Sequence, residues 1–145
     1  MNYAFTTDDI TPLTSEQKSA LIESLVLAVL ADGQAQPEEA AQFDREIKAV
    51  PWGMEDADVR RHLEAARQRF LELDNPDAAQ ALMTSIASRL PTASLREKVL
   101  HAVAMVLYAT KKMNRQGATA FGALATAFEL SREQLDAIKH SVKGG

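Results

Sequence analysis

Apolar residues recur three and four positions apart along almost the whole chain, and no stretch alternates strictly between apolar and polar. That spacing predicts helices and no strand. The clearest stripe is Val59, Leu63, Ala66, Phe70 and Leu73, which predicts an amphipathic helix over 56–73. Two other segments, 21–31 and 99–109, are apolar on nearly every side. Such helices belong in the middle of a bundle, where neighbours cover them all round.

Punctuation residues divide the pattern into about seven helices. Thr14 followed by Ser15-Glu16-Gln17 predicts a capping box and a helix from there to about residue 31, with Gly33 suited to the left-handed turn that ends it. Pro37 fits the first turn of a second helix, which Pro51 closes because it has no amide hydrogen to donate. After the helix over 56–73, Asn75-Pro76 opens a fourth that stops before Pro91. Ser94 caps a fifth running to about Met113, a sixth covers about 116–128, and Ser131 to Gln134 form a second capping box before a final helix that frays at 143–145.

Laying Leu21 on Val99 without gaps reveals an internal repeat. The identities Ala31/Ala109, Ala40/Ala118, Phe43/Phe121 and Ala49/Ala127 are few, but the order is shared: an apolar helix, a polar joint, then an amphipathic helix carrying a Phe. The expected fold is therefore all-α: one domain over 14–142, with two pseudo-repeated helix pairs around two central apolar helices and an N-terminal extension over 1–13. If the halves are related by a two-fold axis, the joint at 32–39 approaches the joint at 110–117.

Composition narrows the function classes. A chain of 145 residues can bury one sizeable core without metal or disulfide support. Its net charge of −4 makes a phosphate backbone a poor partner, so no nucleic acid is expected. The absence of cysteine excludes disulfides, thiolate nucleophiles and Cys-based zinc sites. Neither a basic-apolar leader nor a span of about 20 apolar residues occurs, so a cytoplasmic chain without membrane insertion is expected.

The first joint is the most distinctive local sequence. Asp32, Glu38 and Glu39 bring hard oxygen donors to a helix start, a candidate site for a divalent cation such as calcium. The same residues have a plainer role, since acids at a helix N-terminus complement its dipole. An EF-hand does not fit, because Pro37 stands where that loop requires glycine.

His101 lies opposite Glu23 in the repeat, and the two are a candidate core pair; no other histidines have the spacing of a zinc helix. Arg60, Arg61, Arg67 and Arg69 alternate with acids, which predicts a solvated helix face. Trp52 after Pro51 is either a lid on the core or, if exposed, an anchor for a protein partner.

The string LVLAVLADGQAQPEEAAQF, with its Ala-Asp-Gly joint and Glu pair, resembles the first half of TerB-like domains, the helical family named after tellurite-resistance protein B. The segment 99–135 is similar to that family's second half. The resemblance implies a non-catalytic helical module of bacterial stress systems, with acids at Asp32, Glu38 and Glu39 sometimes holding a metal. This chain departs from the family at Gln36, and at Thr110-Lys111, where a second Asp-Gly would stand. Lys111 or Lys112 can then supply an ammonium in place of a metal, paired with Asp32 or Glu39; alternatively both lysines simply complement a helix C-terminus. Three readings stay open: a protein-binding module of a stress-response system, a metal-sensing module, and a small enzyme whose site the fold alone assembles.

Overall fold

A computed structural model describes residues 3–30, 36–111 and 113–144. Among the described residues there are eight helices and no strand: α1 (Thr7–Ile10), α2 (Ser15–Leu30), α3 (Pro37–Ala49), α4 (Asp56–Leu71), α5 (Pro76–Arg89), α6 (Ala93–Leu107), α7 (Arg115–Ala127) and α8 (Arg132–Gly144). Both expected capping boxes form. The Thr14 amide donates to Gln17 Oε1 at 2.8 Å while the Thr14 hydroxyl accepts from the Gln17 amide at 3.2 Å, and Ser131 and Gln134 do the same at 2.7 and 3.1 Å. Asn75 Oδ1 accepts from the Ala78 amide at 2.8 Å, capping α5 as its position before Pro76 predicts.

Two boundaries differ from expectation. Thr92, rather than Ser94, caps α6, its hydroxyl accepting from the Leu95 amide at 3.1 Å. That helix ends at Leu107, short of Met113. The cause is a tightened last turn, with Ala109 donating to Val106 and Lys111 to Tyr108, after which Lys111 takes a left-handed φ of 74°.

The two apolar helices lie at the centre, as their composition demands. α2 is buried without interruption from Ala20 to Ala28 and packs on α3, α4, α5, α6 and α7. α6 buries Val99, Leu100, Val103, Val106 and Leu107 and packs on α2, α3, α7 and α8. Each large side chain taken out of water here contributes about 1.5–3 kcal/mol, so the pair forms the main reservoir of folding energy.

The ends of the chain are more structured than their sequence suggests. Within the expected 1–13 extension, α1 is closed by a Thr6–Asp9 capping box, and Tyr3, Ile10 and Leu13 enter the core. Lys98 holds this segment to α6 through Asp9 at 2.6 Å. Around 143, where fraying was expected, α8 continues to Gly144, and the Lys143 ammonium stands 5.6 Å above the Tyr108 ring.

The end of α7 is a Schellman turn in which Glu129 donates to Thr126 at 3.0 Å and Leu130 to Ala125 at 3.4 Å. It forces Glu129 to a φ of 59°. A left-handed non-glycine residue costs about 1–2 kcal/mol, part of which glycine would return through its greater freedom when unfolded. Glu129→Gly should therefore stabilise the fold by about 0.5–1 kcal/mol and raise Tm by roughly 1–4 °C. A thermal melt checks this, and an unchanged or lower Tm would show that the turn carries no strain.

Candidate functional site

The acid buried within α2 is fully engaged. Glu23, 1% exposed, receives Arg89 as a fork, Nη1 to Oε2 at 2.6 Å and Nη2 to Oε1 at 3.0 Å. Arg69 Nη1 adds a bond to Oε1 at 2.9 Å, and Ser19 donates to Oε2 at 3.1 Å. Burial alone pushes the Glu23 carboxyl upward, but the Arg89 bonds, the charges of Arg89 and Arg69 and the Ser19 hydroxyl outweigh it and hold the pKa below the usual value. Arg89 is itself fixed, donating to the carbonyls of Ser85 and Glu16. A carboxylate with four donors has no capacity left for substrate, so this cluster is structural.

The expected pairing of Glu23 with His101 does not form. The partners of Glu23 are instead Arg69 of α4, Arg89 of α5 and Ser19 of its own helix. His101 instead stacks on Tyr3, ring centroids 4.3 Å apart and 7° from parallel, with Ser141 Oγ 3.4 Å from Nε2. Its half-buried ring has a pKa lowered by desolvation. Trp52 is also a correction to the interface reading: it is 7% exposed, donates from Nε1 to the Ile47 carbonyl at 2.9 Å, and closes the core like a lid. Lys18 Nζ holds that lid through the Trp52 carbonyl at 2.7 Å.

The acids of the first joint separate into different tasks. Asp32 lies outside the described residues, as does Lys112. Glu38 is exposed in the first turn of α3, whereas Glu39 is 1% exposed and accepts from the Gln36 amide at 2.9 Å, closing a capping box. Among the described residues no group of three or more His, Asp or Glu side chains is arranged to hold a metal ion. Lys111 and Glu38, one from each joint, line the same groove, but no ion pair joins these two side chains.

A depression near the start of α2 brings Ser15 Oγ to 3.5 Å from His62 Nε2, beside Asp58. The Asp58 carboxylate is taken by Arg61, and the Ser–His separation is at the outer limit of a hydrogen bond, so the three do not form a proton relay.

A further, largely apolar opening lies between α2, α3 and α4. It is a cleft of about 500 Å³ floored by Val26, Val29, Leu30, Phe43 and Leu63. Arg60, Glu64 and Arg67 form its rim. Arg67 and Glu64 are 4.0 Å apart and about 60% exposed, a pairing too loose to neutralise either, and Arg60 makes no ion pair among the described residues. The four arginines of α4 are exposed, as a solvated face requires, but they take different tasks: Arg60 and Arg67 line this opening, Arg69 reaches Glu23, and Arg61 pairs with Asp58.

No family model, curated protein or solved structure matches this chain. Its function is therefore argued from these sites. No helix among the described residues is long and apolar enough to cross a membrane.

The Glu23 cluster makes a measurable claim. A carboxyl with a lowered folded pKa contributes stability that is complete above its unfolded value of 4.5 and is lost as pH falls through the folded one. Glu23→Ala, which leaves the half-buried Arg89 without its partner, should cost about 2–4 kcal/mol in urea unfolding. Glu23→Gln should flatten the decline in urea midpoint between pH 4.5 and pH 2; a slope equal to that of the wild type would remove Glu23 from the acid response.

Proposed function

We propose that this chain is a non-catalytic helical interaction module of a bacterial stress-response system of the tellurite-resistance type. In this reading, the α2–α3–α4 cleft receives an amphipathic helix of a protein partner. The supporting observation is the cleft itself: four half-buried apolar side chains, Val29, Leu30, Phe43 and Leu63, line it beside buried Val26, with two arginines against one glutamate on its rim. Apolar clefts of this size suit the i, i+3, i+4, i+7 face of a helix, whose side chains fill the floor while the flanks meet the rim. Charge complementarity selects a partner helix with acidic flanks, even though this chain carries a net charge of −4.

The stress-system assignment rests on the Ala31-Asp32-Gly33 joint with its Glu pair, and on an all-helical architecture in keeping with the resemblance. Metal sensing through Asp32, Glu38 and Glu39 stands behind this reading, because Glu39 already serves as a helix cap.

A photo-crosslinking residue at Leu63 in the native host should yield an adduct with a discrete protein, and one at exposed Thr119 on α7 should not. A synthetic amphipathic helix with acidic flanks should compete for the adduct. Arg60→Glu combined with Arg67→Glu should weaken that competition by roughly tenfold, about 1.4 kcal/mol. Equal labelling at both positions, or competition indifferent to the charge reversal, would defeat the cleft assignment. Growth across tellurite concentrations after deletion of the gene tests the stress assignment, which unchanged growth would overturn.

A further inference from the structure

A second groove, on the other side of α3, has the opposite character to the molecule as a whole. It lies between α3, α6 and α8 and encloses about 380 Å³. Met105, Tyr108, Ala109 and Val142 form its apolar surface. Arg45 and Lys111 stand on its walls, and Lys143 is held over the Tyr108 ring. Two cations from separate segments, Arg45 and Lys111, therefore line the groove against one carboxylate, Glu38, in a chain whose overall charge is negative. We propose that this groove binds a small anionic ligand: a phosphate monoester carried on a flat, apolar body.

Two details of geometry support a ligand site over a chance collection of surface charges. Arg45 is oriented in advance, because its Nε and Nη2 both donate to Gln42 Oε1, at 3.2 and 2.7 Å; the nearby Glu46 carboxylate feels its charge, and Nη1 makes no hydrogen bond among the described residues. An arginine held in this way loses little freedom when it meets a phosphate. Lys111 occupies a left-handed backbone position with a φ of 74°. The repeat sets Lys111 opposite Gly33, the residue type that such a position favours. A costly conformation retained with a charged side chain at the mouth of a groove marks a place where the side chain matters more than backbone comfort.

The ligand chemistry follows from what surrounds it. A phosphate monoester carries about −1.5 to −2 charges at neutral pH, enough to engage several cations at once, whereas a carboxylate offers one. Its flat body would lie on Met105 and beside Tyr108, whose ring is half-buried and already pairs with an ammonium. This site is separate from the α2–α3–α4 cleft and does not depend on that cleft binding a partner.

Titration of the full chain with phenyl phosphate, inorganic phosphate and phenol, followed by calorimetry and NMR, tests the proposal. Phenyl phosphate should saturate and bind about tenfold tighter than either fragment, with shifts at Tyr108 and Val142. Arg45→Gln and Lys111→Gln, both at exposed positions, should each weaken binding by roughly five- to tenfold. Lys111→Gly should raise Tm without ligand while weakening binding to a similar degree, separating backbone strain from fold damage. Absence of saturation, equal affinity for inorganic phosphate, or binding unaffected by the Arg45 and Lys111 changes would each overturn the proposal, the second by reducing the groove to a counter-ion site.

Discussion

The arrangement of this bundle depends on a single buried charge. α2 is the helix that most others touch, and it is buried on all sides over nine consecutive positions, yet one of those positions is Glu23. An ionised carboxylate in such a place costs several kcal/mol unless its oxygens are matched by donors with good geometry. The match comes from Arg89 at the end of α5 and Arg69 on α4, so desolvation of one side chain specifies how two helices sit against the third. Apolar packing alone tolerates sliding and rotation; a forked guanidinium on a fixed carboxylate does not. Arg89 then ties the same point to the carbonyl of Glu16 near the start of α2, which sets the register of α5 along it.

Much of the fold was legible because it rests on local chemistry. The capping boxes at Thr14 and Ser131, the Asn75 cap, the break at Pro51 and the central placement of the two apolar helices all follow from neighbours within four residues, or from composition averaged over a helix. The partners of Glu23 were not legible. Arg69 looked like one of several arginines on a mixed-charge face, and nothing local distinguishes it from Arg61, which binds Asp58 on its own helix. Pairings across 46 or 66 residues depend on which helix faces cross, and periodicity leaves that crossing open. The N-terminal segment was underestimated for the same reason: its few apolar residues carry no helical period, and it is the fold that stacks Tyr3 on the His101 ring and buries Ile10.

The repeat explains why openings occur where they do. Phe43 and Phe121 are equivalent in sequence, but Phe121 is 3% exposed, on a helix that packs against α2, α5 and α6. Phe43 is only half-buried and forms part of a cleft floor. The difference is one of coverage: α5 contributes the clamp to Glu23 and closes the second half, whereas α4 leaves a gap over the first. An apolar surface that the fold could have covered and did not is the kind that recognition uses.

Both openings share one wall. Counting about 100° per residue around α3, Ala41 and Arg45 project roughly 160° away from Phe43, so one helix shows an apolar face to the α2–α4 side and a cationic one to the α6–α8 side. Its C-terminal end is fixed, since Trp52 donates to the Ile47 carbonyl and Lys18 to that of Trp52. Its N-terminal end is held by the Glu39 capping box. A helix held at both ends presents fixed walls, and because α3 packs on α2 along one side and on α6 along the other, each opening is shaped by contacts already in place. The two grooves are chemically distinct faces of one helix, and neither has to be occupied for the other to exist.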